Sequence, residues 1–180
     1  KEDIEWLVLD EQDGKTLLIS KYALEAKPFE SKEQTEAEWK DCSLRKWLNK
    51  DFLGKAFSQK KKKGIQKTEV TNTDLLGNKS FYLDNGTTQD YVFLLSVEEV
   101  RHYFEDYDDR ICTVTNYVKN HGGYYDSDTD CGRWWLRTQN GQDKTKTEYV
   151  NQRGEIGTMF SFTKTLVARP AIWVDSNLIK

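Results

Sequence analysis

The sequence predicts an α+β fold: a small mixed or antiparallel sheet with two to three short helices, long loops and paired termini. Three observations predict it. Ile4-Glu5-Trp6-Leu7-Val8-Leu9 and Thr16-Leu17-Leu18-Ile19-Ser20 flank Asp13-Gly14, a dipeptide that accepts the positive φ angles of tight hairpin turns. Val167 to Val174 is a second apolar run near the other end, and as a strand it can pair beside Ile4 to Leu9. Apolar residues at helical spacing fall in the first two thirds of the chain, and the last third is β-rich.

The elements follow in chain order. Trp6 to Leu9 is apolar without alternation, which predicts a strand covered on both faces near the sheet centre. Leu44, Trp47, Leu48 and Phe52 recur at helical spacing behind Asp41 and Ser43; either polar residue can accept the first free amide hydrogens, so a helix is expected over about 42–50. A short strand or extended segment is expected over 65–71. Asp74 to Asp90 is rich in Asn, Gly and Thr and contains Asn85-Gly86, which marks a loop or a second hairpin tip. Tyr91 to Leu95 is predicted as a buried strand. It leads into Ser96-Val97-Glu98-Glu99, a capping box opening a helix over about 97–104. A third helix is expected from Thr115 as N-cap to Gly122, with Tyr117, Val118 and His121 on its buried side. The remainder reads as β: Trp134 to Thr138, Tyr149 to Asn151, a turn at Gly154, and Val167 to Val174 with Pro170 at a position that need not donate.

Length and composition narrow the function. The 180 residues predict one domain spanning 1–180. Only 37% of residues are hydrophobic, so Trp, Tyr and Phe must supply large buried areas per position. Trp6, Trp47, Trp135 and Trp173 are expected in that core. A net charge of -3 offers no general attraction to nucleic acid or anionic membranes. The one basic run, Lys60 to Lys63, lacks interleaved aromatics and reads as a solvated loop. No stretch approaches the ~20 apolar residues of a membrane span. The chain starts at Lys1 rather than Met, as expected of a trimmed or processed extracellular or cell-surface protein.

Motifs for chemistry are sparse. Cys42, Cys112 and Cys131 show no CxxC spacing and read as buried free thiols. Asp126, Asp128 and Asp130 alternate as oxygen ligands of a calcium ion do, but Cys131 and Arg137 stand where an EF-hand loop needs Gly and Glu. A hydrated acidic loop is the favoured reading, with no metal and no cofactor required. Neither His102 nor His121 has a His or Cys neighbour at ligand spacing, and no nucleophile elbow, phosphate loop or dinucleotide fingerprint occurs. Tyr124 and Tyr125 follow Gly122-Gly123, where they can form a stacking platform or fold back over the sheet end. The candidate ligand-binding residues are therefore Tyr124, Tyr125, Asp126, Asp128, Asp130 and, from the 139–147 loop, Asn140. Arg137 and Arg169 each interrupt an apolar strand sequence and are expected to be structural, held by carbonyls or a carboxylate.

Several blocks in order, Trp39-x-x-Cys42-x-Leu44-Arg45-x-Trp47-Leu48-Asn49, Asp109-Arg110-Ile111-Cys112, Trp134-Trp135-Leu136-Arg137-Thr138, Tyr149-Val150-Asn151-x-x-Gly154 and Arg169-Pro170-Ala171-Ile172-Trp173, resemble a bacterial family of unknown function over nearly the whole chain. That family is similar to the C-type-lectin-like fold, shared with formylglycine-generating enzymes and with variable receptor-binding proteins of diversity-generating retroelements. The resemblance implies a small mixed sheet with paired termini and a long irregular ligand-loop region. The Glu-Pro-Asn, Gln-Pro-Asp and Trp-Asn-Asp triplets of calcium-dependent sugar binding are absent.

The expectation is a non-catalytic binding module of a bacterial surface or secreted protein. It would recognise a glycan, peptide or protein through loops 74–90, 123–133 and 139–147, since loops on a rigid scaffold carry function. The alternatives are an enzyme of formylglycine-generating-like fold with a cysteine-based oxidase activity, and a purely structural adhesin domain.

Overall fold

The computed structural model describes residues 3–76 and 81–178. The Asp13-Gly14 turn, with both residues at positive φ, joins β1 (Trp6–Gln12) to β2 (Lys15–Ser20), and β10 (Ala171–Asp175) pairs antiparallel with the other side of β2. The two ends of the chain thus share one sheet of order β1-β2-β10. The strand buried along its length is β2, from Thr16 to Ser20. The expectation for β1 is corrected: it is an edge strand, Leu7 is exposed, and Val8 is 56% exposed. A bulge between Val8 and Asp10 breaks the alternation of the strand, so the unbroken apolar run does not signal burial on both faces. The closing strand accordingly pairs with β2 and not with Ile4 to Leu9.

The larger sheet is mixed. Its order is β3 (Glu25–Ala26), β9 (Val167–Ala168), β6 (Trp134–Asn140), β4 (Thr68–Leu76) and β5 (Phe81–Asp90), with β7 (Lys146–Val150) added to β6 and β8 (Ile156–Phe160) to β7. Strand β6 runs parallel to β4 and β9 and antiparallel to β7. Much of the expected 74–90 loop is the β4–β5 hairpin; residues 77–80 lie outside the described residues. Pro170, which has no amide hydrogen to give, sits between β9 and β10, where its carbonyl accepts from the Ser20 amide at 2.9 Å.

Helices are short and locally capped. α1 (Ser43–Trp47) continues through a π-helical turn, Leu48–Phe52, into α2 (Leu53–Ala56). Its N-cap is Cys42, whose sulfur accepts from the Arg45 amide, because Ser43 Oγ is engaged with the backbone of Phe29 and Ser31. Lys60 to Lys62 are helical, in α3 (Gln59–Lys62), which Ser58 caps. α4 (Val97–Tyr103) opens with the expected capping box of Ser96 and Glu99. α5 (Tyr107–Arg110) has a second box, Asp106 with Asp109. α6 (Asn116–Asn120) is capped by Thr115, and Gly122 follows at φ +81. Only Val118 of its three expected buried residues is buried; Tyr117 and His121 are exposed and stack on each other at 3.8 Å.

Tyr91 to Leu95 is corrected as well. Val92 to Leu95 are buried, but the segment forms a single bridge, Phe93 with Ala171. Side chains replace a neighbouring strand: Asn49 Oδ1 accepts from the Tyr91 and Val92 amides, and Arg137 Nη1 donates to the Leu94 carbonyl at 2.7 Å.

Fully buried Trp39, Trp134, Trp135, Phe29 and Phe93 fill the centre of the core, while Trp6, Trp47 and Trp173 are half-buried at its margin. Under α1 lies Asp90, at 0% exposure. It accepts from Trp39 Nε1 at 3.0 Å, Arg45 Nε at 2.6 Å, Thr88 Oγ1 at 2.7 Å and Asn49 Nδ2 at 3.3 Å. A carboxylate with that many donors organises the Trp39–Asn49 segment from within.

Candidate functional site

Two of the sequence blocks meet at one surface. Asn151 Oδ1 accepts from the Arg153 and Glu155 amides, turning the chain between β7 and β8. In that turn Gly154 has φ +79, and a Cβ there would lie 1.8 Å from the Tyr107 carbonyl oxygen, so only glycine lets the turn dock on α5. The docked turn and α5 enclose a hollow of about 760 Å³ lined by Arg101, Tyr107, Arg110, Asn151, Glu155 and Gly157, among others. Arg101, Ile156 and Gly157 also line an adjoining hollow of about 570 Å³ that reaches Asn140, Asp143, Lys146, Glu148 and Thr158. The cleft follows the five-residue β7–β8 ladder, a length of ~17 Å.

Its walls are polar and largely pre-arranged. Asn151 Nδ2 donates to Glu155 Oε2 at 2.8 Å, and Arg101 Nη1 to Tyr82 Oη at 2.7 Å. Arg110 is buried; its Nη2 donates to the Phe104 carbonyl at 3.1 Å, and its Nε has no partner among the described residues. Tyr107 is 60% exposed at one end of the cleft, with the Arg110 guanidinium 5.2 Å from its ring centre. Glu148 is only 4% exposed and accepts from Asn140 Nδ2 at 3.2 Å. Burial pushes its carboxyl up to about 7, against the opposing pull of hydrogen bonds from Asn140 and Thr158 and of the charge on Arg101. Asp143, at the same end, is held at about 2 by the Thr145 hydroxyl, Lys146 and the Thr145 amide.

Glu148 predicts a pH dependence. Its folded value exceeds the ordinary 4.5, so the folded state binds this proton more tightly. Its contribution to stability is complete below the unfolded value and is lost as pH rises through the folded one. Melting temperature is expected to fall between about pH 5 and 8 more steeply in the parent than in Glu148→Gln. Parallel profiles for the two proteins would refute this.

The residues anticipated from sequence are dispersed around this cleft. Asn140 lies in it, with Oδ1 accepting from the Gln142 and Asp143 amides. Tyr124 lies beyond the other end: the Arg133 guanidinium covers its ring at 3.8 Å, and Arg133 Nε donates to Gln152 Oε1 at 2.9 Å. Asn140 and the Tyr124 loop adjoin opposite ends of the seven-residue β6, ~20 Å apart. Tyr125 is partly exposed, with Lys119 Nζ 5.4 Å from its ring centre. Asp126 Oδ1 accepts from the Asp128 and Thr129 amides and from Thr129 Oγ1, which lowers its carboxyl value. Asp130, at φ +60, pairs with Lys119 at 2.7 Å. Among the described residues no group of three or more His, Cys, Asp or Glu is arranged to hold a metal ion. Asp126 and Asp130 are thus engaged in folding their own loop.

Arg137 donates to both oxygens of Glu99 and to the Thr71 and Leu94 carbonyls. Arg169 is buried with Nε on the Ser20 carbonyl at 3.1 Å and its guanidinium 4.9 Å from the Trp134 ring centre. Cys42, Cys112 and Cys131 are free and buried. Burial raises Cys112 and pushes Cys42 up to about 12, the opposite of a reactive thiol. Cys112 Sγ points to the Lys21 and Thr113 carbonyls and Cys131 Sγ to that of Thr129.

Sequence reasoning did not single out Arg101, Tyr107, Glu148 or Asn151 as site residues. The one local signal was the Asn151-x-x-Gly154 turn; nothing local shows that it docks on Tyr107. Among the described residues no helix is long and apolar enough to cross a membrane. Comparison with curated proteins and with solved structures finds no match. A family model does match, over residues 13–176, and the chain accordingly belongs to the family described as Domain of unknown function (DUF6273).

Proposed function

We propose that this chain is a non-catalytic binding module of C-type-lectin-like architecture, borne by a bacterial surface or secreted protein, and that the polar cleft along β7 and β8 recognises a glycan. One observation carries this reading: adjoining polar hollows bring amide, carboxyl and guanidinium groups beside the exposed ring of Tyr107. Sugars present closely spaced hydroxyls that donate and accept at once, together with an apolar ring face; planar polar side chains and one exposed aromatic ring match both. An apolar peptide would leave these polar groups unpaired, at a cost of about 1–3 kcal/mol for each one buried. The buried thiols speak against a cysteine-based oxidase. The same acidic-loop geometry supports a module that needs no calcium.

A glycan array followed by calorimetry on the best ligand tests the proposal. Tyr107→Ala is expected to weaken binding about tenfold, the order of ~1.4 kcal/mol for a lost stacking face, with an unchanged melt because the ring is exposed. Tyr124→Ala/Tyr125→Ala is expected to weaken it less, through Arg133 and Gln152. An array without hits, or hits indifferent to Tyr107→Ala and Asn151→Ala, would sink the reading. Chelating calcium is expected to change neither affinity nor melting temperature; a calcium-dependent rise in melting temperature that vanishes in Asp128→Asn would overturn that part.

A further inference from the structure

A second recessed surface lies apart from this cleft, on the side of the N-terminal segment, β3 and the α1–α3 region. Trp6, Phe57, Phe52 and Trp47 form a continuous wall of rings there: Trp6 stacks on Phe57 at 6.0 Å, Phe57 meets Phe52 edge-on at 6.0 Å, and Phe52 meets Trp47 at 5.5 Å. With Ile4, Ala56 and the half-exposed Tyr117 they line a groove of about 600 Å³. The volume falls in the range of small-molecule sites.

The polar groups of its rim differ in how far they are satisfied. Lys27 Nζ is paired with Glu25 at 3.1 Å and also lies 4.8 Å from the Trp47 ring centre. Asp3 is the other acidic residue of the lining. Lys55 and Lys61 line the groove as well, and neither forms an ion pair with a described carboxylate. Lys61 reaches this position because the basic run folds as α3 behind the Ser58 cap instead of forming a loop. Set against Asp3 and the Lys27-paired Glu25, the three lysines leave the lining with one net positive charge, and beside a wall of flat rings this complements an anion with a planar apolar body.

We propose that this groove is a separate binding site for a small planar apolar acid, an aromatic carboxylate or sulfonate, with the half-buried rings of Trp6 and Trp47 against its body and the Lys55 and Lys61 ammonium groups on its charge. It does not depend on what the polar cleft binds.

The probes are two fluorescent dyes with the same rings, anilinonaphthalene sulfonate and its uncharged parent phenylnaphthylamine, titrated into the folded chain. The sulfonate is expected to bind at one site, about fivefold to tenfold more tightly than the neutral dye, as two exposed charge pairs provide. Lys55→Gln/Lys61→Gln should bring the sulfonate down to the affinity of the neutral dye, and Tyr117→Ala, at an exposed position, should weaken both. Tyr107→Ala, in the distant cleft, should leave both titrations unchanged. No binding of the sulfonate, equal affinity for the two dyes, or a sulfonate titration unaffected by the double lysine change would each overturn the proposal. Loss of dye binding in Tyr107→Ala would overturn it too, by placing the dye elsewhere.

Discussion

Trp135→Ala is expected to lower the free energy of unfolding by ~3–5 kcal/mol, the range for truncating a large aromatic side chain in a core that cannot collapse around the void. The indole is fully buried, meets Phe29 edge-on at 6.0 Å and donates Nε1 to the Lys27 carbonyl at 2.8 Å. Truncation therefore removes packing and leaves that carbonyl without its donor. Urea unfolding should show an earlier midpoint at an unchanged slope. A loss below about 1 kcal/mol, typical of substitutions outside a core, would mean that this ring is not part of the packed centre.

Asp90→Ala should cost a similar ~3–5 kcal/mol, because removing one member of a buried ionic cluster strands the others. Trp39 Nε1, Thr88 Oγ1 and the Arg45 guanidinium would all lose the acceptor they share. The cause can be separated from simple loss of volume. Where the penalty comes from stranded donors, Arg45→Ala should cost much less in the Asp90→Ala background than in the parent. A double-mutant cycle reads that difference; strictly additive costs would refute the shared network. Asp90→Asn should be milder, since the amide oxygen still accepts.

How much was legible in advance depends on whether the controlling contact is close in sequence. The hairpin at Asp13-Gly14, the Ser96–Glu99 capping box, the Thr115 cap and Gly122 at the end of α6 each depend on residues within a few positions, and their chemistry acts within one turn of chain. The Trp39–Asn49 block could be recognised as a pattern, but its reason could not: Trp39, Arg45 and Asn49 converge on Asp90, some forty to fifty positions away. Val92 to Leu95 was legible as buried, though Tyr91 is exposed, and the segment was misread as a strand, because Asn49 and Arg137 take up backbone groups that a neighbouring strand would otherwise satisfy.

By itself, the sequence determined the α+β class, the Asp13-Gly14 turn, the Ser96 and Thr115 caps, and the joining of the two chain ends in strands, because apolar period and turn chemistry are local properties. It missed the cap of α1, which is Cys42 and not Asp41 or Ser43, and the Asn85-Gly86 pair, which lies inside β5. Which strand lies at the edge was decided only by tertiary structure. The run from Trp6 to Leu9 has the composition of a central strand, yet β2 takes the middle between β1 and β10, and the bulge in β1 turns Val8 outward. The same holds for the two recessed surfaces. Asn140 was noticed for its loop and Lys61 for its charge run, but the cleft exists only because Gly154 admits the Tyr107 backbone, and the groove only because α3 sets Lys61 beside rings from three other segments. A site is a coincidence of distant segments, and its chemistry appears only once packing has fixed which groups are buried, paired or left open.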